Sequence, residues 1–391
     1  MLMLLLPVLL TADYTYFRAA VAGGDVPTTW DVTTGENVAW SAALPGRGLS
    51  SPLVVGDRVF VTTCDGLSQE RLGVHCFDDA TGEKLWTRQF WATGRTASHN
   101  KTSNAAPTPA SDGERVFAFW SSGDLVALDL KGNLQWVRGL QVDYPNASNS
   151  LGMSSSLVVT GGVVVAQCEA DAQAVAVGVD AETGEDRWVI DDRPKMANWT
   201  SPLPAEVGGE RAVLLQSGDG ITAVRVADGE VLWKTTDGAS TIPSSTSDGS
   251  VVFAPSNGLT AYDGSSGAQL WNNSKLSPST ASPIVVGDRV YTVNRSGVVS
   301  AADAGSGERA WQLRLAGPYS ATPIVAAGRL YFVNERGVAQ VVQPSTDEGE
   351  VVGEGNFDDT ILATPAVREN ALYVRSDSTL WKVARSSEPS K

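Results

Sequence analysis

An eleven-residue unit, AYDGSSGAQLW at 261–271, recurs along the chain and limits what the chain can fold into more than any other feature. Residues 301–311 read AADAGSGERAW, 223–233 read AVRVADGEVLW and 76–86 read CFDDATGEKLW, each with Gly seventh and Trp eleventh. Small and alternating residues suit a pleated strand, the Gly takes a turn position where a Cβ would clash, and the Trp returns on the next strand with a large apolar face to bury. Each unit therefore predicts a hairpin ending in a wedge.

A second signal is phased with the first. Pro52 to Phe60, Pro109 to Phe117, Pro283 to Tyr291, Pro323 to Tyr331 and Pro365 to Tyr373 share one spacing, with a Ser or Thr before each Pro. An apolar triplet and a turn such as the GDR at 56–58 lie between, which predicts another hairpin. Ser156 to Val164 and Ser245 to Phe253 keep the spacing without the Pro, and Pro202 begins a copy lengthened by Gly208 and Gly209. Two hairpins per copy, repeated eight times in series, predict an all-β fold: an eight-bladed β-propeller of four-stranded antiparallel blades.

The two ends complement each other. Residues 37–44, NVAWSAAL, carry Trp40 without a first hairpin, whereas 364–383 supply three strands without a fourth. The N-terminal strand is expected to complete the last blade, which removes two open sheet edges. On this reading 1–12 form an apolar leader-like segment, 13–36 an extended surface arm, 37–385 one propeller and 386–391 a disordered tail. Blades run over about 48–90, 105–139, 153–191, 199–236, 242–274, 280–315, 320–355 and 361–383. Blade 7 has Val351 or Val352 where a Trp is expected and should pack less well at its rim. The wedges are Trp40, Trp86, Trp136, Trp188, Trp233, Trp271 and Trp311. The long loops, 65–73, 91–104, 140–152 and 192–198, all fall on one face of blades 1–4, where binding is expected.

A formal charge of −15 without a basic patch disfavours nucleic acid and anionic membrane as direct partners. The apolar run at 2–10 is too short to span a bilayer and suggests export to the periplasm or cell envelope, although the usual basic n-region is missing. Cys64, Cys76 and Cys168 with only two His fit no zinc site. Cys64 and Cys76 either form a disulfide or, more commonly at such spacing, remain free, and Cys168 takes the place in its blade that Cys64 takes in blade 1. Repetition of Asp78, Asp129, Asp180, Asp263 and Asp303 at one position points to turn hydrogen bonding.

The Ala-x-Asp-x-x-x-Gly-x-x-x-Trp unit, with TGE turns at 81–83 and 183–185, resembles the tryptophan-docking repeat of the pyrroloquinoline-quinone-like (PQQ-like) eight-bladed propellers, which include quinoprotein alcohol dehydrogenases and BamB-type outer-membrane assembly proteins. The segments ADYTYFRAA at 12–20, LPGRGLSSPLVVGDRVFVTT at 44–63 and HNKTSNAAPTPASDGERVF at 99–117 are similar to exported bacterial PQQ-binding-like repeat proteins, a family defined by sequence. The dehydrogenase likeness implies a quinone between a Trp face and a disulfide of adjacent cysteines, with calcium and a catalytic Asp. This chain has no adjacent cysteines and no recognisable calcium triad, so no catalytic, cofactor or metal residues are assigned. The BamB likeness implies a monomeric, non-catalytic scaffold that presents the loops of blades 1–4 to a protein or peptide; a quinone-binding or redox enzyme using the channel mouth is the alternative. Candidate ligand or partner contacts are His99, Asn100 and Lys101 in a long loop, each also readable as a loop anchor, and Trp199, as a channel platform or, more simply, a wedge.

Overall fold

A computed structural model describes residues 15–19 and 23–385. The predicted leader at 1–12 and tail at 386–391 lie outside the described residues. The strands form eight sheets, seven of four strands and one of five. Blade 1 is built from Leu53–Val55, Arg58–Asp65, Arg71–Asp78 and Lys84–Trp91. Blades 2 to 6 repeat that order within 110–139, 158–190, 203–234, 246–273 and 284–314. Apolar cores lie between neighbours: Phe117 and Leu125 of blade 2 pack with Val164 and Val177 of blade 3. Burial on both faces explains why the second and third strands are mostly apolar and buried along nearly their whole length, whereas the outer strand is largely exposed.

The repeat acts as a latch between blades. Each outer-strand indole covers the turn Gly of the next blade and donates Nε1–H to a carbonyl there: Trp40 to Asp79 at 2.8 Å, Trp188 to Val226 at 2.8 Å, Trp233 to Gly264 at 3.0 Å and Trp271 to Ala304 at 3.0 Å. Trp86, Trp136 and Trp311 reach Leu130, Ala181 and Ser345, each at 3.1 Å. At Gly307, with φ +71°, a Cβ would stand 2.5 Å from the Trp271 ring, so the flat indole excludes any side chain. The repeated Asp closes the turn: Asp263 accepts from the backbone amides of Ser265 and Ser266, and Asp180 from those of Glu182 and Thr183. The Arg187 guanidinium and these amides hold Asp180 down at about 2.

The ring closes as the two ends predict. Val38–Ala43 pairs antiparallel with Thr379–Val383, with Trp40 opposite Lys382 and Ser41 opposite Trp381. Blade 7 departs from expectation. Its rim is not loosened, because Trp30–Asp31 adds a fifth, parallel strand to Gly349–Asn356, and Trp30, 3% exposed, covers Gly355 and stacks near Phe357. The arm is therefore no simple surface strap: Val26 is fully buried, and the carbonyl of Val26 accepts from the Tyr331 hydroxyl.

Two further readings shift. Val158 pairs with Val165 as Leu53 pairs with Phe60, so blade 3 is phased from Leu157 and not Ser156. Cys168 then corresponds to Thr63, and Glu169 to Cys64. All three cysteines are free and buried. Burial pushes the Cys76 and Cys168 thiols up to about 12. The loop expected at 65–73 shrinks to five residues, since Arg58–Asp65 and Arg71–Asp78 extend into it, and Leu140–Asp143 of the long loop at 140–152 forms one helical turn.

Candidate functional site

Each blade enters its innermost strand from the face that carries the long loops, and two layers of side chains from these entering segments line the central channel. The lower layer is the Ser or Thr that precedes Pro in most copies. The residue before Pro is held extended, and here the backbone amide of each such residue donates to the hydroxyl of the next blade. Ser51 donates to Thr108 at 2.9 Å, Thr108 to Ser156 at 3.0 Å and Ser156 to Ser201 at 2.9 Å. Ser201 to Ser244, Ser244 to Ser282, Ser282 to Thr322 and Thr322 to Thr364 follow, each at 3.0 Å. The relay stops between blades 8 and 1, where Ser51 Oγ is buried without a partner.

The upper layer lies two residues earlier, on the same side of each extended segment. Here the ring is uneven: Leu49, Ala106, Trp199, Ile242 and Leu362 are apolar, while Ser154, Thr280 and Ser320 are polar. Thr280 and Ser320 already donate, to the Tyr319 carbonyl and the Glu335 carboxylate, both at 2.7 Å. Together the layers bound a well of about 410 Å³. The N-terminal arm lines its lower end with Phe17, and Arg18 Nη2 donates to the Ser245 carbonyl at 2.8 Å, just below the relay. The arm is held on the opposite face, where the Thr15 carbonyl accepts from Ser111 at 2.9 Å and Gly24 donates to Glu369 at 2.6 Å.

The sequence candidates divide. His99 and Lys101 reach the mouth of the well and Trp199 lines its wall. His99 is anchored by its amide to the Leu151 carbonyl at 2.9 Å, and its Nδ1 accepts from the Lys101 amide at 3.2 Å. Lys101 crosses to Glu335 of blade 7, with Nζ 2.9 Å from the carboxylate. Partial burial raises the Glu335 carboxyl, but Lys101 and Ser320 more than offset this and hold it low. Asn100 stands apart, its carbonyl taken by the Arg47 guanidinium. Trp199 is no blade wedge: its Nε1 donates to the Gly152 carbonyl at 2.7 Å, which fixes the ring in the wall. Sequence reasoning passed over Phe17, Ile242 and Leu362. It noted the Ser or Thr before each Pro, which was the available signal for the hydroxyl layer.

A buried acid at the end of the second strand of blade 3 meets an amide in the loop before blade 4. Glu169, 1% exposed, accepts from Asn198 Nδ2 at 2.8 Å and from Arg193 Nε at 2.6 Å. Burial pushes the Glu169 carboxyl up while Arg193 pulls it back. The guanidinium is the counter-charge of the buried carboxylate. Among the described residues no cluster of three His, Cys, Asp or Glu side chains is placed to hold a metal ion. Arg193 is paired with the buried acid, Lys101 with Glu335, and the three cysteines are separate and free.

Exposed large apolar residues fall in two sets. Leu85, Leu134, Val137, Val189, Val231, Leu270 and Val352 lie on outer strands, around the circumference. Leu67, Trp91, Val142, Leu151, Met196 and Ile242 all lie on the loop face from blade 1 to the entrance of blade 5, with Leu67 fully exposed and Trp91 68% exposed. Among the described residues none lies on the corresponding loops of blades 6–8.

Comparison with known proteins agrees with this architecture. The sequence model of the family described as outer membrane protein assembly factor BamB matches residues 12–151, 147–245, 234–322 and 295–387. The outer membrane protein assembly factor BamB of Burkholderia pseudomallei is 26% identical over 212 residues, a match that spans 54% of this chain and 46% of the relative's length. The crystal structure of BamB from Moraxella catarrhalis superposes with a TM-score of 0.63 at 17% identity, over 90% of this chain and 99% of that one. The quinohemoprotein alcohol dehydrogenase of Comamonas testosteroni gives a TM-score of 0.68 at 12% identity, over 97% and 82% of the two chains. At such identities the superpositions report a shared fold.

Proposed function

Because this chain belongs to the family described as outer membrane protein assembly factor BamB, we propose that it is a non-catalytic interaction scaffold of the bacterial cell envelope, with a protein partner docking on the loops of blades 1–4. The observation that carries this reading is the one-sided distribution of exposed apolar side chains. Leu67, Trp91, Val142 and Met196 project from the loop face of the first half of the ring. Exposed apolar side chains gathered on one side of a molecule mark a place where a partner can remove them from water. The loops are braced: Gln141 accepts from Arg95 and donates to the Ser121 carbonyl, and Asn104 bonds both the Gln69 backbone and Ser122. A stiff presenting surface loses little order on binding, which favours affinity.

The test is site-specific photocrosslinking in a bacterial host that carries the gene. A probe at Trp91 or Met196 should capture a discrete protein, and a probe at Asp358 on blade 7 should not. Equal labelling from both halves of the ring, or none from the first, defeats the proposal. Val142→Asp should abolish capture while leaving the melting temperature within a few degrees. Fractionation of the same cells should place the protein in the envelope.

The dehydrogenase superposition supports a second reading, a quinone-dependent enzyme, in which Trp199 would offer the stacking face. Arg193 and Glu335, which already occupy the charges such a site needs, argue for the scaffold. A saturable absorbance band on mixing the protein with quinone and calcium would reverse that preference.

A further inference from the structure

We propose that the channel well binds a small amphiphilic carboxylate, seated head down on the hydroxyl relay with its apolar body against Leu49, Trp199, Ile242 and Leu362. This goes beyond the scaffold reading and does not depend on it. The starting point is the hydrogen-bond count of the relay. A hydroxyl has one proton to donate and two lone pairs to accept with. At each of the seven linked positions from Thr108 to Thr364 one lone pair is used by the amide of the preceding blade. None of these hydroxyls donates to a protein acceptor among the described residues. Each belongs to a residue only 1% to 5% exposed, and each lines the well.

Seven buried O–H donors therefore converge on one narrow level of the channel. Buried donors call for acceptors. The group that accepts from several donors at once while offering none is an oxyanion, and bonds to an ionised acceptor are about twice as strong as neutral ones. The charge nearest the relay is of the matching sign: Arg18 lies against Ser245 directly below the ring, whereas Lys101 at the mouth is paired with Glu335. A guanidinium beside a donor ring, in a chain of formal charge −15, is a local exception to the acidity of the molecule.

The layer above decides between an inorganic anion and an organic one. It lies about 6–7 Å higher, the rise of two extended residues, and over half of its members are apolar. Its polar members Thr280 and Ser320 already have acceptors within the protein. Such a collar contributes nothing to a bare oxyanion but favours a hydrocarbon body attached to one. The volume, about 410 Å³, falls in the range of small-molecule sites. Phe17 lines the lower end of the well, and His99 and Lys101 line its mouth on the loop face.

Calorimetric titration of the full chain with octanoate, 1-octanol and octylamine separates the contributions. Octanoate should bind saturably with one site per chain, at least tenfold tighter than 1-octanol, and octylamine should not bind. Ser282→Ala removes one donor and should weaken octanoate several-fold while leaving 1-octanol unchanged, a selective loss that a general loosening of the ring would not produce. Ile242→Asp changes a half-exposed side chain that the fold does not need, and the added carboxylate should abolish octanoate binding. No saturable octanoate binding, equal affinity for 1-octanol, or indifference to Ser282→Ala overturns the proposal. Partner capture at Trp91 is read separately, so either idea can fail alone.

Discussion

The junctions from blade 1 through blade 7 and the two junctions that flank blade 8 solve the same problem by different means. At each of the first six, an indole covers the turn Gly of the next blade and a hydroxyl accepts the backbone amide of its neighbour. From blade 7 to blade 8 the indole is missing, and the corresponding turn glycine, Gly35, has no neighbour within 4 Å of where a Cβ would stand. From blade 8 to blade 1 the indole is present, as Trp40, but the hydroxyl link is not made. Blade 8 is assembled from both ends of the chain, and its turn belongs to the arm. The compensation is local: Trp30 on the added strand seals one side, and on the other Arg375, fully buried, donates Nη1 to the Thr62 carbonyl at 2.6 Å. Regular repetition makes the ring, and singular residues close it.

The strongest test of this contrast replaces the indoles. Trp233→Ala and Trp30→Ala should each cost about 3–5 kcal/mol in chemical denaturation, because both side chains are over nine-tenths buried. Substitution by Phe should then separate them. Trp233→Phe leaves the Gly264 carbonyl without its donor, whereas Trp30 Nε1 has no partner to lose. The first change should exceed the second by about 1–2 kcal/mol. Equal costs would mean that the carbonyl docks contribute nothing, and the distinction between repeated and singular junctions would reduce to burial alone.

Acid sharpens the comparison next, since the junction of blades 8 and 1 contains a buried imidazole. His75, 1% exposed, lies between the hydroxyls of Thr63 at 2.8 Å and Thr87 at 3.0 Å. Burial, helped by the charges of Arg375 and Lys84, lowers it to about 4. Its folded value lies below its unfolded one, so between pH 6.5 and 4 the unfolded chain takes up a proton that the folded chain refuses. The associated stability is present in full above pH 6.5 and lost as pH falls to 4, about 3 kcal/mol in total. His75→Gln should flatten stability against pH across that window and leave the turn aspartates to titrate lower. An unchanged slope would show that the seam is not the acid-sensitive part.

The turn glycines provide a smaller contrast. Gly307→Ala forces a Cβ to within 2.5 Å of the Trp271 ring, while Gly35→Ala meets nothing, although both positions have positive φ, +71° and +82°. Gly35→Ala should cost about 1 kcal/mol, the conformational penalty alone. Gly307→Ala should cost about 2–3 kcal/mol because overpacking adds to it. Equal melting temperatures for the two variants would place the indole elsewhere than over the turn.

How far the sequence revealed these features depends on whether a feature was repeated. Gly267 and Trp271 recur at fixed spacing, so hairpin, blade number and wedge could be read directly, and the unequal ends announced the closure at Trp40. Blade 3 was misphased by one because it has Leu157 in place of Pro, which removed the landmark. Trp30 was hidden in a stretch without periodicity: a two-residue parallel strand leaves no pattern to find. The site was legible only in part. His99, Lys101 and Trp199 drew attention as polar or aromatic loop residues, but convergence on one well is a property of ring closure, which brings Leu49 and Leu362 together from opposite ends of the chain. Phe17 lines the well from an arm whose position nothing local dictates.

The smallest effect concerns the hydroxyl layer, and here the two kinds of junction should differ in sign. Ser282 Oγ accepts the Ser244 amide at 3.0 Å, so Ser282→Ala leaves a buried N–H unpaired and should cost about 1–2 kcal/mol. Ser51 occupies the equivalent position, yet its Oγ is buried with no partner at all. Removing an unsatisfied buried hydroxyl relieves a penalty, so Ser51→Ala should leave stability unchanged or raise it by up to about 1 kcal/mol. Equilibrium denaturation of the two variants decides the matter. Destabilisation by Ser51→Ala equal to that by Ser282→Ala would mean that the relay runs unbroken around the ring in solution, and that Arg375 supplements the eighth link instead of replacing it.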